Sequence, residues 1–386
     1  PYYWNTVHAR SHVVAKDEPD KIRAVFGSSK LLLQAELMFI WPLQATYLTT
    51  DTGDMLWNRE TSRGGWKRLF KEMHENGPLN TVLSVDWSQF DKRLLHELID
   101  DVHDIWRSYF NFDRYEPTSV YPKAKTNPER IERLWRWMTN AIKSTPIHLP
   151  NQEVWEWTRN GFGSGFQQTQ LMDSFANAVM ILTCLSSLGI NIESDEFWCK
   201  FQGDDSLIGF KERMFQIYGQ HFLDKLAEEA ARRFNAKLNA KKSGISDRVT
   251  GTTILSYGNS HGIPHRAEED LLRHLFFPER PQDYARLAAS AMGLAMAAGG
   301  EYPRFHDLCT KVFNHITKEW DLQPKWSTLK WMIRAGLYET LDQLAHAEVP
   351  SRLTLLSQVY VYQPKPESMT HRQWPRKPGP RGRFFF

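Results

Sequence analysis

The clearest periodicity starts at residue 81. Thr81 to Val85 is a short β-prone run, and after a polar stretch Leu94, Leu95, Leu98, Val102 and Ile105 recur on one face of a helix. The order is strand, loop, helix. Residues 113–135 are rich in Pro, Lys and Arg and read as an excursion from the core, followed by short β-like pieces around Ile147-His148-Leu149 and Val154-Trp155. A glycine-rich loop at 161–165 then opens a long helix reaching about residue 188. It is apolar along Leu171, Phe175, Val179 and Leu182, and polar along Thr169, Asp173 and Asn177, which are spaced i, i+4, i+8 and share a face.

The segment Phe201-Gln202-Gly203-Asp204-Asp205-Ser206-Leu207-Ile208 predicts two apolar strands joined by a tight turn at Gly203-Asp204. Periodicity next predicts one helix over 213–234 that can bury Phe215, Ile217, Tyr218, Phe222, Leu226 and Ala230. A short strand at Ala236-Lys237-Leu238, the basic pair Lys241-Lys242 and a hairpin over 252–264 follow. Beyond Glu268, Ala-rich and Leu-rich segments at 283–298, 304–317 and 326–347 predict a separate helical unit, and 363–386 is a basic, Pro-rich tail ending in three Phe. Residues 1–80, broken by Gly27 and Gly64-Gly65, show no clear period.

At 386 residues the length predicts about two to three domains or subdomains. The composition, 41% hydrophobic and 24% charged, is that of a soluble protein, and 15 Trp and 22 Phe give broad stacking surface. A net charge of only +3 means that nucleic-acid binding has to rest on local clusters of Lys and Arg. Cys184, Cys199 and Cys309 lack metal-ligand spacing, which argues against disulfides and structural zinc and suits a reducing compartment. No run of 18 apolar residues and no signal-peptide pattern supports membrane spanning or secretion. The chain opens Pro1-Tyr2-Tyr3-Trp4 without an initiator Met, so residues upstream are expected.

Two carboxylates fixed at a hairpin tip repel each other and persist most readily where a hard divalent cation neutralises them. Asp86 directly follows a predicted strand, where a side chain projects from a sheet's end; Asp91 lies five residues on. If that strand lies beside the hairpin, Asp86, Asp204 and Asp205 converge and can hold two Mg²⁺ for in-line phosphoryl transfer. The plainer alternatives are a solvated turn and a helix cap. Lys16, Lys21 and Arg23 lie close together, and as extended chain Lys21 and Arg23 share a side suited to a triphosphate. Interleaved acids make a solvated charge run the more frequent explanation. The loop at 161–165 allows close approach of a nucleic-acid backbone, and the Thr169, Asp173, Asn177 stripe can read a ribose hydroxyl or face water. Spacing alone leaves that open.

Taken in order, these segments resemble the motifs of viral RNA-dependent RNA polymerases, most closely those of partitivirus-like double-stranded RNA viruses. The run 16–27 resembles the fingers motif at the nucleotide phosphates, and Asp86-x4-Asp91 the first palm motif. Ser164-Gly165-x3-Thr169 with Ser174 and Asn177 resembles the second, Gly203-Asp204-Asp205 the third, Lys242 in its Leu238–Ser243 context the fourth, and Leu255-Ser256-Tyr257-Gly258 the primer-grip hairpin. The resemblance covers residues 13 to about 266.

It implies an α+β right-hand fold with an antiparallel-sheet palm, fingers elements and a helical thumb. Fingers would comprise 1–80 and an insertion at 113–160, palm 81–112 and 161–266, thumb 267–362, and a tail 363–386. Asp86 and Asp204 would be the principal Mg²⁺ ligands, with Asp205 assisting and Mn²⁺ as an alternative ion. Lys242, ahead of Lys241, would protonate the departing pyrophosphate. Substrate contacts would come from Lys16, Lys21, Arg23, Asp91, Ser164, Gly165, Thr169, Asp173, Ser174 and Asn177. Asp91 would sense the ribose 2′-OH, which speaks against a reverse transcriptase, whose pocket excludes that group. Implied partners are an RNA template and product strand and NTPs, with a viral capsid protein as a further candidate, no membrane, and a place in the host cytoplasm inside the viral particle. The alternative is an inert polymerase-like RNA-binding or capsid-associated protein. Two positions depart from the pattern. Gly163 stands where many relatives have Pro. Asp173 stands where many positive-strand polymerases carry the Asn that pairs with the ribose-sensing Asp, so Asp173, Ser174 and Asn177 all remain candidate partners of Asp91.

Overall fold

The computed structural model describes residues 4–12, 14, 21–49, 53–57, 59, 61–75, 77, 79–115, 125–278, 283–334 and 337–361. Lys16 and the tail 363–386 lie outside the described residues. Strands β1 (Asn5–His12) and β2 (Lys21–Gly27) form an antiparallel ribbon with Arg10 opposite Arg23 and His12 opposite Lys21. Lys21 and Arg23 therefore share a face, as alternation requires. Helix α1 (Lys30–Thr49) buries Leu32, Phe39, Ile40 and Leu43 completely and contains Pro42. It is apolar nearly all round, so it had no polar face from which a period could be read. Helix α2 (Trp66–Glu75) turns Trp66, Leu69 and Met73 inward.

Strand β3 (Thr81–Val85) is buried at every position and lies centrally in a sheet. The helix predicted after it is two pieces, α3 (Phe90–Arg93) and α4 (His96–Ser108), because Leu94 leaves helical geometry at ψ 118. Within the excursion, α5 (Pro128–Ser144) starts at Asn127, whose side chain accepts the Arg130 N–H, with Pro at the start of the first turn. Strands β4 (Ile147–His148) and β5 (Val154–Trp155) extend the ribbon to a sheet of order β2-β1-β4-β5. Helix α6 (Thr169–Ser187) matches the predicted long helix.

Strands β6 (Trp198–Gln202) and β7 (Asp205–Phe210) form the predicted hairpin, with Gly203 at φ +61 in its turn. The single helix expected over 213–234 is α7 (Met214–Tyr218) and α8 (His221–Phe234), separated at Gly219, whose φ of +55 stops the first. Ile217 and Tyr218 are consequently exposed, while Phe222, Leu226 and Ala230 are buried. The expected strand at 236–238 is one bridge, Trp87 to Leu238; the fourth strand is β8 (Gly244–Ser246), giving the order β6-β7-β3-β8. The hairpin over 252–264 is a three-stranded sheet, β9 (Thr253–Ile254), β10 (Tyr257–Ser260) and β11 (Ile263–His265).

The helical unit comprises α9 (Glu268–Phe276), α10 (Tyr284–Ala297) and α11 (Pro303–Asn314), then short α12 (Trp331–Arg334) and α13 (Leu341–Ala345) where a longer segment was predicted, and α14 (Arg352–Tyr360). It keeps cores of its own around Met292, Phe313 and Leu355, and around Leu271, Ala295 and Phe305. The largest core runs from α1 through β3, α4, α5, α6 and the β6–β7 hairpin to α8.

Candidate active site

Antiparallel pairing of β3 with β7 sets Val85 opposite Ser206, so the next pair outward is Asp86 beside Asp205. The two-residue turn Gly203-Asp204 adds the third carboxylate at the same end of the sheet. Asp86 is held from the far side. Its N–H donates to Ser243 Oγ (3.1 Å), its carbonyl accepts the Asn239 N–H (2.9 Å), and its Oδ1 accepts from Asn239 Nδ2 (2.8 Å). Lys242 Nζ lies 3.7 Å from Oδ2. The helix-cap alternative does not describe Asp86, because the residue preceding α3 is Gln89, in left-handed geometry.

Burial raises Asp204 above the usual carboxylate range; the Asp86 charge adds to this, while its own backbone N–H, Arg23 and Lys242 oppose it. Asp205 is pushed up to about 7 by burial, then by Asp204 and Asp86, against Lys242 and the Leu255 N–H. Crowded carboxylate oxygens of this kind are the hard donors that Mg²⁺ or Mn²⁺ takes. Among the described residues, no three His, Cys, Asp or Glu side chains close into a ready ligand set. The fit therefore rests on the donor chemistry and on the mutual repulsion that a cation would relieve.

A second wall comes from the loop before α6. The Phe26 N–H on β2 donates to the Ser164 carbonyl (2.8 Å). Gly165, at φ +132, approaches so closely that a Cβ there would lie 2.1 Å from the Phe26 carbonyl oxygen. Thr169 closes the loop: its Oγ1 accepts the Gly165 N–H (3.4 Å) and donates to the Gly163 carbonyl (3.1 Å). This joins the basic ribbon to the start of α6.

Further along α6, Ser174 and Asn177 are fully buried. Ser174 Oγ accepts the Gly203 N–H (2.8 Å) and donates to the Gln170 carbonyl (2.6 Å). Asn177 Nδ2 donates to the carbonyls of Gly203 (3.0 Å) and Asp205 (3.2 Å), while its Oδ1 accepts from Trp87 Nε1 (2.8 Å). Both grip the acidic turn from behind. Of the three candidates, Asp173 is the one whose carboxyl lies near enough to act on Asp91, as does the Ser164 hydroxyl. Asp91 is raised by burial and then by Asp204, opposed by Asp173, Arg23 and Ser164. Arg23 and Lys21 are exposed on their strand, with Arg23 near enough to favour the charged forms of Asp91 and Asp204.

Sequence reasoning missed the support behind this wall. Glu36, fully buried on α1, accepts the N–H groups of Gln167 and Gln168 (3.3 Å each) and Gln168 Nε2 (3.0 Å). Gln168 Oε1 meets His103 Nε2 at 2.7 Å. Burial pushes Glu36 up to about 7 and His103 down to about 4. The available signal was a lone acid in the otherwise uncharged run 31–49. Asn239 was also missed, as was Arg10, the cross-strand neighbour of Arg23.

A family profile described as viral RNA-dependent RNA polymerase matches residues 57–312, well over half of the chain. The RNA-directed RNA polymerase of White clover cryptic virus 1 is 30% identical over 388 residues, covering 96% of this chain and 61% of that protein. That of Atkinsonella hypoxylon virus is 27% identical over 339 residues, covering 79% of this chain and 49% of its own length. The chain thus spans about half to three-fifths of these curated relatives. Among solved structures, the RNA-dependent RNA polymerase of a human picorbirnavirus superposes with a TM-score of 0.60 at 16% identity, over 81% of this chain and 56% of that one. The RNA-dependent RNA polymerase of a sicinivirus gives 0.57 at 11% identity, over 86% and 68%. This likeness shows the right-hand polymerase fold. No helix among the described residues is long and apolar enough to cross a membrane.

Proposed function

The chain belongs to the viral RNA-dependent RNA polymerase family, and on that premise we propose that it carries the nucleotidyl-transfer centre of an RNA-directed RNA polymerase. The observation that carries this reading is the register of β3 against β7, which sets Asp86 beside Asp205 next to the Asp204 turn, with Lys242 3.7 Å from Asp86. In this reading the fingers are 1–80 and 113–160, the palm 81–112 and 161–266, and the thumb 267–362. Asp86, Asp204 and Asp205 are the residues that would hold two Mg²⁺ ions. Bound there, the ions would acidify the primer 3′-hydroxyl and offset charge on the leaving pyrophosphate.

The chain's own groups divide the remaining work. Arg23 and Lys21 face the triphosphate, and Arg23 does so from beside Asp91 and Asp204; the same basic run of sequence contains Lys16. Lys242, more than half exposed at its side chain, is the donor that can follow the pyrophosphate out. Asp91 takes the ribose 2′-hydroxyl against the loop of Ser164, Gly165 and Thr169. Ser174 and Asn177 act through the turn they hold. Partners on this reading are template and product RNA and NTPs, and the reading extends to a capsid protein and a site inside the particle in the host cytoplasm.

Primer extension on an RNA template with NTPs and Mg²⁺ is the test. Extension by the intact chain, lost in Asp86→Ala and in Asp204→Ala, supports the reading; full extension by both variants overturns it. No observation favours the inert alternative.

A further inference from the structure

The groups assigned to the incoming nucleotide stand on three elements, and the loop 161–168 touches them all. Arg23 lies on β2, an edge strand of its sheet, whose outer edge meets the loop where the Phe26 N–H donates to the Ser164 carbonyl (2.8 Å). Asp91 on α3 accepts the Phe162 N–H at its backbone carbonyl (2.8 Å). Ser164 and Gly165 belong to the loop itself. It ends at the N-terminus of α6, where the first N–H groups have no partner within the helix. Gln168, the residue before α6, gives no side-chain cap. The cap comes from α1 instead: Glu36 Oε2 accepts the Gln167 N–H and Oε1 the Gln168 N–H (3.3 Å each). The fully buried Gln168 side chain donates from Nε2 to Glu36 Oε1 (3.0 Å), which leaves its Oε1 to accept from His103 Nε2 on α4 (2.7 Å). Helix α1 directly follows β2 and α4 directly follows α3, so the helices that meet at Gln168 are those that continue from Arg23 and Asp91.

A Ser, Asp or Asn at the helix start would cap the same N–H groups locally, without burying an acid, an amide and an imidazole between three helices. What the buried set adds is direction. Hydrogen bonds fix the distance and angle at which α1, α4 and α6 meet, where apolar packing alone tolerates sliding. Resting on the polymerase reading above, we propose that Gln168, gripped between Glu36 and His103, is a positioning residue for the incoming nucleotide. It locks the 161–168 loop, and through the Phe26 and Asp91 contacts of that loop it sets the spacing of Arg23, Asp91 and the Ser164-Gly165 backbone around the triphosphate and ribose. Glu36, Gln168 and His103 are themselves buried and act only through the elements they join. Releasing Gln168 widens the pocket and weakens nucleotide binding, while the carboxylate turn, held separately by Ser174 and Asn177, keeps its geometry.

Two measurements on the full chain test this. Gln168→Met keeps the length and bulk of the side chain and removes both of its hydrogen bonds. In primer extension its KM for NTPs should rise about tenfold or more, with kcat at saturating NTP and the Kd for primer-template within about twofold of wild type. A merely structural role predicts the reverse, because a smaller folded fraction lowers kcat and leaves KM unchanged. Glu36→Gln keeps the oxygen that serves Gln168 and loses only the Gln167 contact, so its KM should fall between the two. Amide hydrogen exchange reads the same proteins without activity: protection in Gln168→Met should fall about tenfold or more over 21–27 as well as over 161–169. An unchanged KM in both variants, or loss of protection confined to 166–169, overturns the proposal. Joint loss over both segments, with no extension even by the wild type, supports the anchor and counts against the polymerase reading alone.

Discussion

Asn177→Ala is the most informative substitution behind the acidic turn. The amide is fully buried and satisfies three groups: the Trp87 indole N–H and the carbonyls of Gly203 and Asp205. Trp87 is itself only 4% exposed, so its N–H cannot turn to water. Each buried group left unpaired costs ~1–3 kcal/mol, and a water in the vacated space would recover part of that. Counting the indole N–H and the Gly203 carbonyl as the two groups most fully stranded gives roughly 2–6 kcal/mol, a large share of a stability of order 5–15 kcal/mol. The loss is local to the turn, so amide hydrogen exchange over residues 198–210 is the assay. At 1.4 kcal/mol per tenfold, protection there should fall by about thirtyfold or more. Ser174→Ala strands only the Gly203 N–H and should cost about tenfold. Asn177→Asp keeps the acceptor for Trp87 but loses both donors and buries a charge, so it should do no better than Ala. Protection over 198–210 within about threefold of wild type in Asn177→Ala would refute the reasoning.

Gly165→Ala must separate the loop from β2, because its Cβ would lie 2.1 Å from the Phe26 carbonyl oxygen and its φ of +132 is one L residues rarely adopt. The Phe26–Ser164 bond should break and KM for NTPs rise about tenfold or more with circular dichroism preserved; an unchanged KM counts against the wall described here. Glu36 binds its proton more tightly in the folded chain, from 4.5 up to about 7, so its contribution to stability is full below about 4.5 and is lost as pH rises to about 7. Glu36→Gln should therefore flatten the decline between those values by up to ~3 kcal/mol in urea unfolding, and an identical slope in both proteins excludes it. Lys242→Ala removes a largely exposed side chain, so unfolding should be unchanged while primer extension falls by about 10²-fold. Equal losses of stability and activity would assign it a packing role.

What could be read from the sequence follows the physics of each segment. The β6–β7 hairpin was legible because Gly203 permits the turn and apolar runs flank it; β3 was legible as a short β-prone run ending at a carboxylate. Their adjacency was not, since strand pairing over more than a hundred residues is fixed by packing rather than by local sequence. Helix α1 escaped because burial on most sides erases the period. The break between α7 and α8 escaped because the apolar spacing runs through Gly219, and only the positive φ of that residue ends the helix. The carboxylates were found by type and order, whereas Glu36, Gln168 and His103 belong to three separate segments and meet only in the fold.

The stripe Thr169, Asp173, Asn177 shows how far spacing alone can go. Its shared face was correct, yet the residues serve three different partners: Thr169 the glycine loop, Asp173 the Asp91 carboxyl, and Asn177 the Gly203 to Asp205 turn with Trp87. Each ties α6 to a different part of the protein. A helix rises 1.5 Å per residue, so the eight steps from Thr169 to Asn177 span about 12 Å of stiff backbone. That length sets the separation between the loop on the basic ribbon and the acidic turn. Rotating α6 would withdraw all three contacts together, since they lie on one face. The polar stripe thus acts as a ruler, and a single hydrogen-bonded helix registers Asp91, the glycine loop and the acidic turn against one another.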